Sequence, residues 1–207
     1  MGGLIIIILY VDNITILSDS ITDIKATLSK RYEMSDLGKI DSYLGINITR
    51  DRSTKCLDID QSRYILEIVN RFGLSDANPM RTPLPTGADV HLLKYDGEAT
   101  KAQIKLYQQM IGSLLYVQIG THPNISFAVS RLAQYASNPS PHHIQLAKYV
   151  LMYLKGTSDL KLRYNGCGDG LHSYSDSSYG DNPDDQCLTS GYVFQLADAA
   201  ISWCSHK

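Results

Sequence analysis

Apolar and polar residues alternate with two different periods over the first 73 positions, which predicts a mixture of strands and helices. Residues 4–11 and 14–17 are β-prone runs separated by Asp12-Asn13, a two-residue interval that suits a tight hairpin. Ser20 is a plausible N-cap for a helix that is expected to run to about Met34.

Two more strands and a second helix are predicted after this first helix. The runs SYLGINIT and CLDID have strand character and are joined by the charged turn DRSTK. Residues 62–72 place Ile65, Ile68, Val69 and Phe72 on one helical face, and Gly73 is a typical stop signal. The order β-β-α-β-β-α predicts an α+β unit over residues 1–73.

The middle of the chain changes from a proline-rich strap to three helical patterns. Residues 74–98 contain Pro79, Pro83 and Pro85 and lack periodicity, which indicates a linker or an extended strap. The helices are expected from Thr100 to Gly120, from Pro123, and from Ser140-Pro141 to Gly156.

The last segment, residues 164–207, predicts a meander of three short strands. The runs GLHSYSDSSYG, LTSGYVFQL and AAISWCS are separated by the turns DNPDDQ and ADA. A buried strand that begins at residue 4 and a sheet that ends with the last residue are both interpreted as incomplete. We therefore expect a chain cut at both ends, with exposed strand edges that favour dimerisation or aggregation.

Composition is that of a folded globular protein. The chain has 207 residues, is 43% hydrophobic and 19% charged, and can bury a substantial core. Its four cysteines are scattered without zinc spacing, which indicates reduced thiols and a location in the cytoplasm or nucleus. The apolar run 4–11 is far shorter than the roughly 20 residues of a membrane span, so no membrane partner is expected.

Charge is distributed unevenly although its sum is only −2. Residues 1–98 carry −3, residues 99–163 carry +6 and residues 164–207 carry −5. The basic middle favours either a phosphate-binding surface or a face that pairs with the acidic segments. Lys148 and Lys155 are seven positions apart and share a helix face, so they are candidates for contact with a nucleic-acid backbone, or an ordinary solvated face.

Candidate chemistry is confined to a few acidic positions. Phosphoryl-transfer enzymes gather two or more carboxylates around magnesium ions, and an acid at the tip of a hairpin is a rigid way to supply one. Asp12 has that position, although Asp-Asn also suits a plain turn. Asp184-Asp185 is interpreted as a solvated turn, and the neighbours His142 and His143 as surface residues that make a poor metal pair.

Longer sequence motifs resemble those of a known protein family. Five segments follow one another along the chain: YVDNITILSDS, LSKRYEMSDLGKIDSYLGINITRD, RTPL, QQMIGSLLYVQIGTHPNISFAVSRLAQYASNPSPHHIQLAKYVLMYLKGTSDLKLRY and YSDSSYGDNPDDQCLTSGYVFQLADAAISWCSHK. Together they resemble the reverse transcriptase of copia-type long-terminal-repeat retrotransposons. The resemblance implies a partial polymerase palm and thumb at residues 1–73, the linker 74–98, a basic helical connection at 99–163, and an incomplete ribonuclease H-like antiparallel sheet at 164–207.

The resemblance also implies which residues carry the chemistry. The family's Tyr-Val-Asp-Asp motif matches Tyr10, Val11, Asp12 and Asn13, so Asp12 is a candidate magnesium ligand and catalytic residue, whereas an amide replaces the second acid. Asp176 matches the first ribonuclease H acid, a second candidate catalytic residue and magnesium ligand. Tyr10, Lys148 and Lys155 are the candidate nucleic-acid contacts.

One matched carboxylate per site is too few to seat a pair of hydrated magnesium ions. The chain alone is therefore expected to be a retrotransposon fragment with little or no catalysis. The alternatives are a non-enzymatic module that binds an RNA–DNA hybrid or another nucleic acid, and one half of a split enzyme whose partner is an upstream polymerase fragment.

Overall fold

The computed structural model describes residues 4–88, 92–178 and 189–206 and divides the chain into two compact units. The first unit is Met1–Asp41 and the second is Ser42–Lys207. Helices and antiparallel strands are mixed in the chain, which confirms the predicted α+β class. The four-part division at residues 73, 98 and 163 follows composition instead of contacts and stays a prediction.

The first unit is a hairpin followed by one short helix. Strand β1 (Ile6–Tyr10) pairs with β2 (Asn13–Leu17) in the register Ile6↔Leu17 to Tyr10↔Asn13. Helix α1 spans Ile21–Ser29 and therefore ends well before the predicted Met34. The Ser20 side chain makes no cap hydrogen bond, and no residue of α1 is buried. With so little packing, an intrinsic helix pattern extends for fewer turns than its sequence allows.

A four-stranded antiparallel sheet begins the second unit, in the order β3-β4-β5-β6. Its strands are β3 (Ser42–Tyr43), β4 (Ile46–Asp51), β5 (Cys56–Asp60) and β6 (Leu162–Asn165). Two strands were predicted here, SYLGINIT and CLDID, and the structure divides the first of them at the turn Leu44-Gly45 into β3 and β4. Strand β6 was not predicted, because it lies about a hundred residues beyond its partner and its four residues carry only a weak strand pattern. Strand β6 joins the end of the predicted helical connection to the sheet of the first predicted segment.

Helices supply the main core of the second unit. They are α2 (Ser62–Arg71), α3 (Lys101–Gly120), α4 (Ser126–Ala133) and α5 (Pro141–Gly156), and a short 3₁₀ turn, Pro123–Ile125, precedes α4. Helices α3 and α5 begin after Thr100 and Ser140 as predicted, and these two residues form complete capping boxes with Gln103 and His143, which were not predicted. The fully buried side chains of these helices include Ile65, Ile68, Leu114, Val117, Val129, Leu132, Leu151 and Leu154.

The proline-rich strap lies against this helical core. Leu92 is fully buried, Ala88 is nearly so, and Leu84 packs on the same cluster. The backbone N–H of Met80 donates to the carbonyl of Met152 in α5, at 3.3 Å. Over its described part this segment therefore packs against the helical core, and its assignment as a linker between domains stays a prediction.

The predicted three-stranded meander is also present. Strands β7 (His172–Ser178), β8 (Thr189–Leu196) and β9 (Ala199–His206) form an antiparallel sheet in chain order. Ala197 and Asp198 both have positive φ, at 53° and 68°, which is the signature of a type I′ hairpin turn. The indole N–H of Trp203 donates to the carbonyl of Gln118 at 2.9 Å, so Trp203 ties this sheet to α3. No helix among the described residues is long and apolar enough to span a bilayer.

Candidate functional site

Asp12 lies at the tip of the β1–β2 hairpin, but the turn differs from the predicted one by a residue. Tyr10 pairs with Asn13, so the two loop residues are Val11 and Asp12, and Asn13 is the first residue of β2. Val11 has a φ of 53°, a left-handed conformation that is strained for a β-branched side chain. Asp12 therefore follows a residue with a strained backbone conformation, and such conformations are concentrated at functional sites.

The Asp12 carboxylate is solvent-exposed and has an amide beside it. Asn13 Nδ2 donates to Asp12 Oδ1 at 3.4 Å, a long hydrogen bond between neighbouring side chains. An amide in this place can donate to an anion or offer one neutral oxygen, but it adds no negative charge. Tyr10, the candidate nucleic-acid contact at the end of β1, is half-exposed.

The residues at the hairpin do not fit a pair of magnesium ions. Among residues 4–88, 92–178 and 189–206, no three His, Cys, Asp or Glu side chains are grouped so that they could hold a metal ion. Two-metal sites need several anionic oxygens at short range, and here Asp12 is accompanied by an amide. No catalytic step through magnesium follows from this geometry.

Asp176 lies in the middle of β7, opposite Gly191 of β8. Its side chain is exposed, and its Oδ1 accepts a hydrogen bond from the backbone N–H of Ser177 at 2.8 Å. Asp12 belongs to the first unit and Asp176 to the second. Asp184-Asp185, interpreted from sequence as a turn, lie outside the described residues.

Much of the basic middle segment is occupied by internal contacts. The Arg163 guanidinium makes a bidentate pair with Asp58, at 2.7 and 2.8 Å, and Lys161 lies 3.9 Å from the same carboxylate. The paired guanidinium holds the pKa of Asp58 below its usual value. This pair connects β5 to β6, and sequence analysis missed it because the two partners lie far apart in the chain.

Lys148 and Lys155 have different surroundings although they lie on the same helix. The Lys155 ammonium donates to the backbone carbonyls of Ser75 and Ala77, the latter at 2.8 Å, and thereby holds the start of the strap against α5. Lys148 is half-exposed and makes no hydrogen bond or ion pair with any described residue. Lys148 is therefore the better placed of the two for an external phosphate.

Replacing Lys155 with alanine is expected to lower the free energy of unfolding by about 1–3 kcal/mol, because two carbonyl acceptors lose a charged donor. Urea denaturation measures this. Lys148→Ala is the matched control on the same helix, and its effect is expected to stay within about 0.5 kcal/mol. Equal effects of the two substitutions would show that the contact to the strap contributes nothing.

The histidines at the start of α5 correct an expectation. His142 is exposed as predicted, but His143 is buried, stacks on Tyr135 with ring centroids 4.1 Å apart, and accepts a hydrogen bond at Nδ1 from the Ser140 backbone at 3.0 Å. The interpretation of His143 as a surface residue is wrong. Its position three residues after a Ser-Pro helix start was the available signal, since that position can complete a capping box.

A buried polar network joins β5, α2 and the end of α3, and no motif indicated it. Thr121 Oγ1 lies 2.9 Å from Gln61 Oε1 and 2.8 Å from His122 Nδ1, and all three residues are buried. Gly120 leaves room for the Gln61 side chain, because a Cβ at position 120 would lie 2.4 Å from Gln61 Oε1. The network stabilises the fold at the point where α3 ends.

Comparison with known proteins identifies the family to which the chain belongs. Residues 2–86 match the family model described as "Reverse transcriptase (RNA-dependent DNA polymerase)". The chain belongs to the reverse transcriptase family of copia-type retrotransposon Pol polyproteins.

Relatives of very different lengths support this membership. The chain is 32% identical, over 99% of its length, to the Retrovirus-related Pol polyprotein from transposon TNT 1-94 of Nicotiana tabacum, and 33% identical to that from transposon RE1 of Arabidopsis thaliana. It spans only 16% and 14% of those two polyproteins. It is also 33% identical to the putative transposon Ty5-1 protein of Saccharomyces cerevisiae, and covers 67% of it. No solved structure matches the chain significantly.

Proposed function

We propose that this chain is a piece of a copia-type reverse transcriptase and ribonuclease H that does not catalyse DNA synthesis or RNA cleavage by itself. The observation that carries the proposal is the hairpin tip, where Asp12 has an amide, Asn13, as its neighbour at 3.4 Å. The family's reaction, RNA-directed DNA polymerisation, would place metal-bound phosphates at that tip. A single exposed carboxylate gives too little charge to hold them.

The finer assignment of segments is part of the same proposal. Residues 1–73 would be the later part of the palm and the thumb, and residues 99–163 the connection. Residues 164–207 would begin a ribonuclease H-like domain. The support for this last assignment is the antiparallel meander β7-β8-β9 with Asp176 at the centre of its first strand. Without the assignment to a ribonuclease H-like domain, Asp176 would be interpreted as an ordinary exposed residue of a strand.

Activity assays test the proposal directly. Primer extension on an RNA template and cleavage of an RNA–DNA hybrid are measured in magnesium and in manganese. The expected rates are equal to those of the double variant Asp12→Ala, Asp176→Ala. Turnover above that control would contradict the proposed inactivity. Co-expression with a separately encoded upstream palm fragment distinguishes a split enzyme, which would gain activity only in the pair.

A second prediction concerns the amide itself. Asn13→Asp adds a second carboxylate to the hairpin, and is expected to raise the affinity of the chain for Mn²⁺ by about one order of magnitude. Titration followed by the electron paramagnetic resonance of free Mn²⁺ measures this without any assay of activity. Adding Asp12→Ala to the same variant should remove the gain. An unchanged affinity in Asn13→Asp would mean that charge at the tip is not what limits metal binding.

Contact with nucleic acid is the second candidate function, and three exposed or half-exposed lysines favour it. Lys101 and Lys105 lie one turn apart at the start of α3, and Lys148 lies on α5. Such binding would weaken steeply with salt, and the triple alanine variant of these lysines should reduce the salt dependence. Lys155 is left unchanged in that variant, because its substitution also releases the strap.

A further inference from the structure

A groove of about 490 Å³ lies between helices α2 and α3 of the second unit. The two helices are antiparallel, because Tyr64 near the start of α2 packs edge-on against Tyr116 near the end of α3, with ring centroids 4.8 Å apart. Tyr64 lines this end of the groove, and Arg71 and Leu106 line the other end. Sites for small molecules have volumes of about 300–1,000 Å³, so the groove has room for one.

The groove lining combines apolar rings with hydrogen-bonding groups. Tyr64 and Phe72 supply half-buried rings, and Leu106 supplies an aliphatic side chain that is 37% exposed. The Gln109 side chain also lines the groove, and its amide makes no hydrogen bond to any described residue. No acidic side chain is among the described residues of the lining. A mainly apolar wall with a few polar groups is typical of sites that bind small organic molecules.

Gly112 forms part of the groove wall in the middle of α3, and the packing of the chain does not require a glycine there. A glycine inside a helix destabilises it relative to alanine. A Cβ at position 112 would nevertheless have no packing neighbour within 4 Å, so the structure leaves room for a side chain. Glycine is used where a ligand approaches the backbone closely. The missing side chain therefore indicates an external group that lies against α3 at this position.

The end of the groove at Arg71 has a positive charge that is available to an anion. The Arg71 guanidinium lies 2.6 Å from Glu67 in an ion pair on the same helix, and both side chains are at least half exposed. Exposed pairs of this kind contribute little, and a guanidinium has five N–H donors, so an anion can bind beside Glu67 or replace it. Lys105 lies one turn before Gln109 on the surface of α3 and adds a second cation.

We propose that this groove binds one nucleoside monophosphate. The base lies against Gly112 and Tyr64, where the backbone is open and an aromatic ring is present. The Gln109 amide hydrogen-bonds an edge of the base, and glutamine amides match adenine with one donor and one acceptor. The phosphate binds Arg71, since guanidinium and phosphate form two parallel hydrogen bonds. Tyr64 and Arg71 are seven residues apart on α2, about 10 Å along the helix axis, which suits the base and phosphate of one nucleotide.

A nucleotide matches the groove better than an apolar partner helix does. A docked helix presents a continuous apolar stripe, and that stripe would bury the Gln109 amide and the Arg71 guanidinium without partners. A nucleotide has an apolar ring face, a polar ring edge and an anionic group, and each of these meets a matching group of the lining. The site belongs to the second unit, so it does not depend on Asp12 or on the hairpin of the first unit.

Isothermal titration calorimetry of the full chain with adenosine 5′-monophosphate tests the binding. We expect one site per chain with a Kd below about 1 mM. Adenosine lacks the phosphate and ribose 5-phosphate lacks the base, so each should bind about tenfold more weakly or worse. Absence of saturable binding, or equal binding of ribose 5-phosphate and the complete nucleotide, would overturn the proposal. The second of these results would show a surface that recognises phosphate alone.

Two charge variants should change the affinity in opposite directions. Arg71→Gln removes the partner of the phosphate and is expected to raise the Kd about tenfold. Glu67→Gln removes the carboxylate that competes for Arg71, and is expected to lower the Kd about two- to fivefold. Arg63→Gln is the matched control, because Arg63 is an exposed arginine of the same helix that does not line the groove. Its Kd should equal that of the parent chain.

Substitutions at Gly112 separate binding from folding. Gly112→Leu fills the groove and should abolish binding of the nucleotide, whereas the smaller side chain of Gly112→Ala should weaken it less. Alanine and leucine favour a helix more than glycine does, so both variants are expected to resist urea at least as well as the parent chain. Unchanged binding in Gly112→Leu, a Glu67→Gln variant that binds no more tightly, or equal losses in Arg63→Gln and Arg71→Gln would each contradict the proposed site.

Discussion

Replacing Leu114 with alanine is expected to lower the free energy of unfolding by about 3–5 kcal/mol, the largest effect of any single change considered for this chain. Leu114 lies at the centre of α3 and is completely buried. Truncation removes its apolar contacts and leaves a cavity that packed helices cannot fully close. Urea denaturation followed by circular dichroism measures the loss.

A matched control lies on the same helix. Ile119 is 71% exposed, five residues further along α3, so Ile119→Ala removes a similar aliphatic group from water instead of from the core. Its effect should stay within about 0.5 kcal/mol. If the two alanine variants unfold at similar urea concentrations, the helical core described for the second unit is not the source of its stability.

The success of prediction for these helices has a physical cause. Helices α2, α3 and α5 have apolar residues at helical spacing, and the starts of α3 and α5 also have strong caps, so local signals and burial agree. The first helix shows the opposite case, since α1 packs weakly and ends at Ser29 although its pattern continues. Periodicity predicts a helix well only where a core is present to receive its apolar face.

Contacts between distant segments could not be read from the pattern. The pairing of β5 with β6 depends on Asp58 and Arg163, which are separated by 105 positions. The local sequence around Asp58 and around Arg163 does not show whether each side chain pairs across a sheet or is simply exposed to solvent. The contact of Lys155 could not be predicted for the same reason. Its acceptors are backbone carbonyls of the strap, and backbone carbonyls are present at every position whatever the side chain.

At the candidate site, the sequence predicted the identity of the side chains better than their geometry. The motif placed Asp12 at the tip of a hairpin, and the hairpin is present. The loop consists of Val11 and Asp12, however, and the interval expected from sequence was Asp12-Asn13. Turn preferences favour Asp-Asn, but the strand register is fixed by the pairing of all five residues of β1 with β2, and Val11 takes the strained φ as a consequence.

The second large prediction is that acidic pH destabilises the second unit through His122. Burial lowers the pKa of His122, and the smaller effects of the Thr157 backbone and the Asp60 carboxylate act in the opposite direction. A depressed pKa means that the unfolded chain binds this proton more readily than the folded chain. Stability is therefore fully present above the ordinary histidine pKa of about 6.5 and falls as pH decreases below it.

Urea denaturation between pH 8 and pH 5 measures the slope, to which His122 can contribute up to about 1.4 kcal/mol per pH unit below its unfolded pKa. The Thr121 hydroxyl donates its hydrogen to Gln61 Oε1, so His122 Nδ1–H is the donor to Thr121 Oγ1, 2.8 Å away. His122→Asn retains an N–H donor that can take the place of Nδ1–H, but its side chain cannot be protonated. The variant should lose less stability between pH 7 and pH 5 than the parent chain. Measurement of both proteins at pH 8, where the imidazole is neutral in either state, isolates the packing cost of the substitution. Parallel curves for the two proteins across the whole range would mean that the buried imidazole does not control the acid sensitivity of the fold.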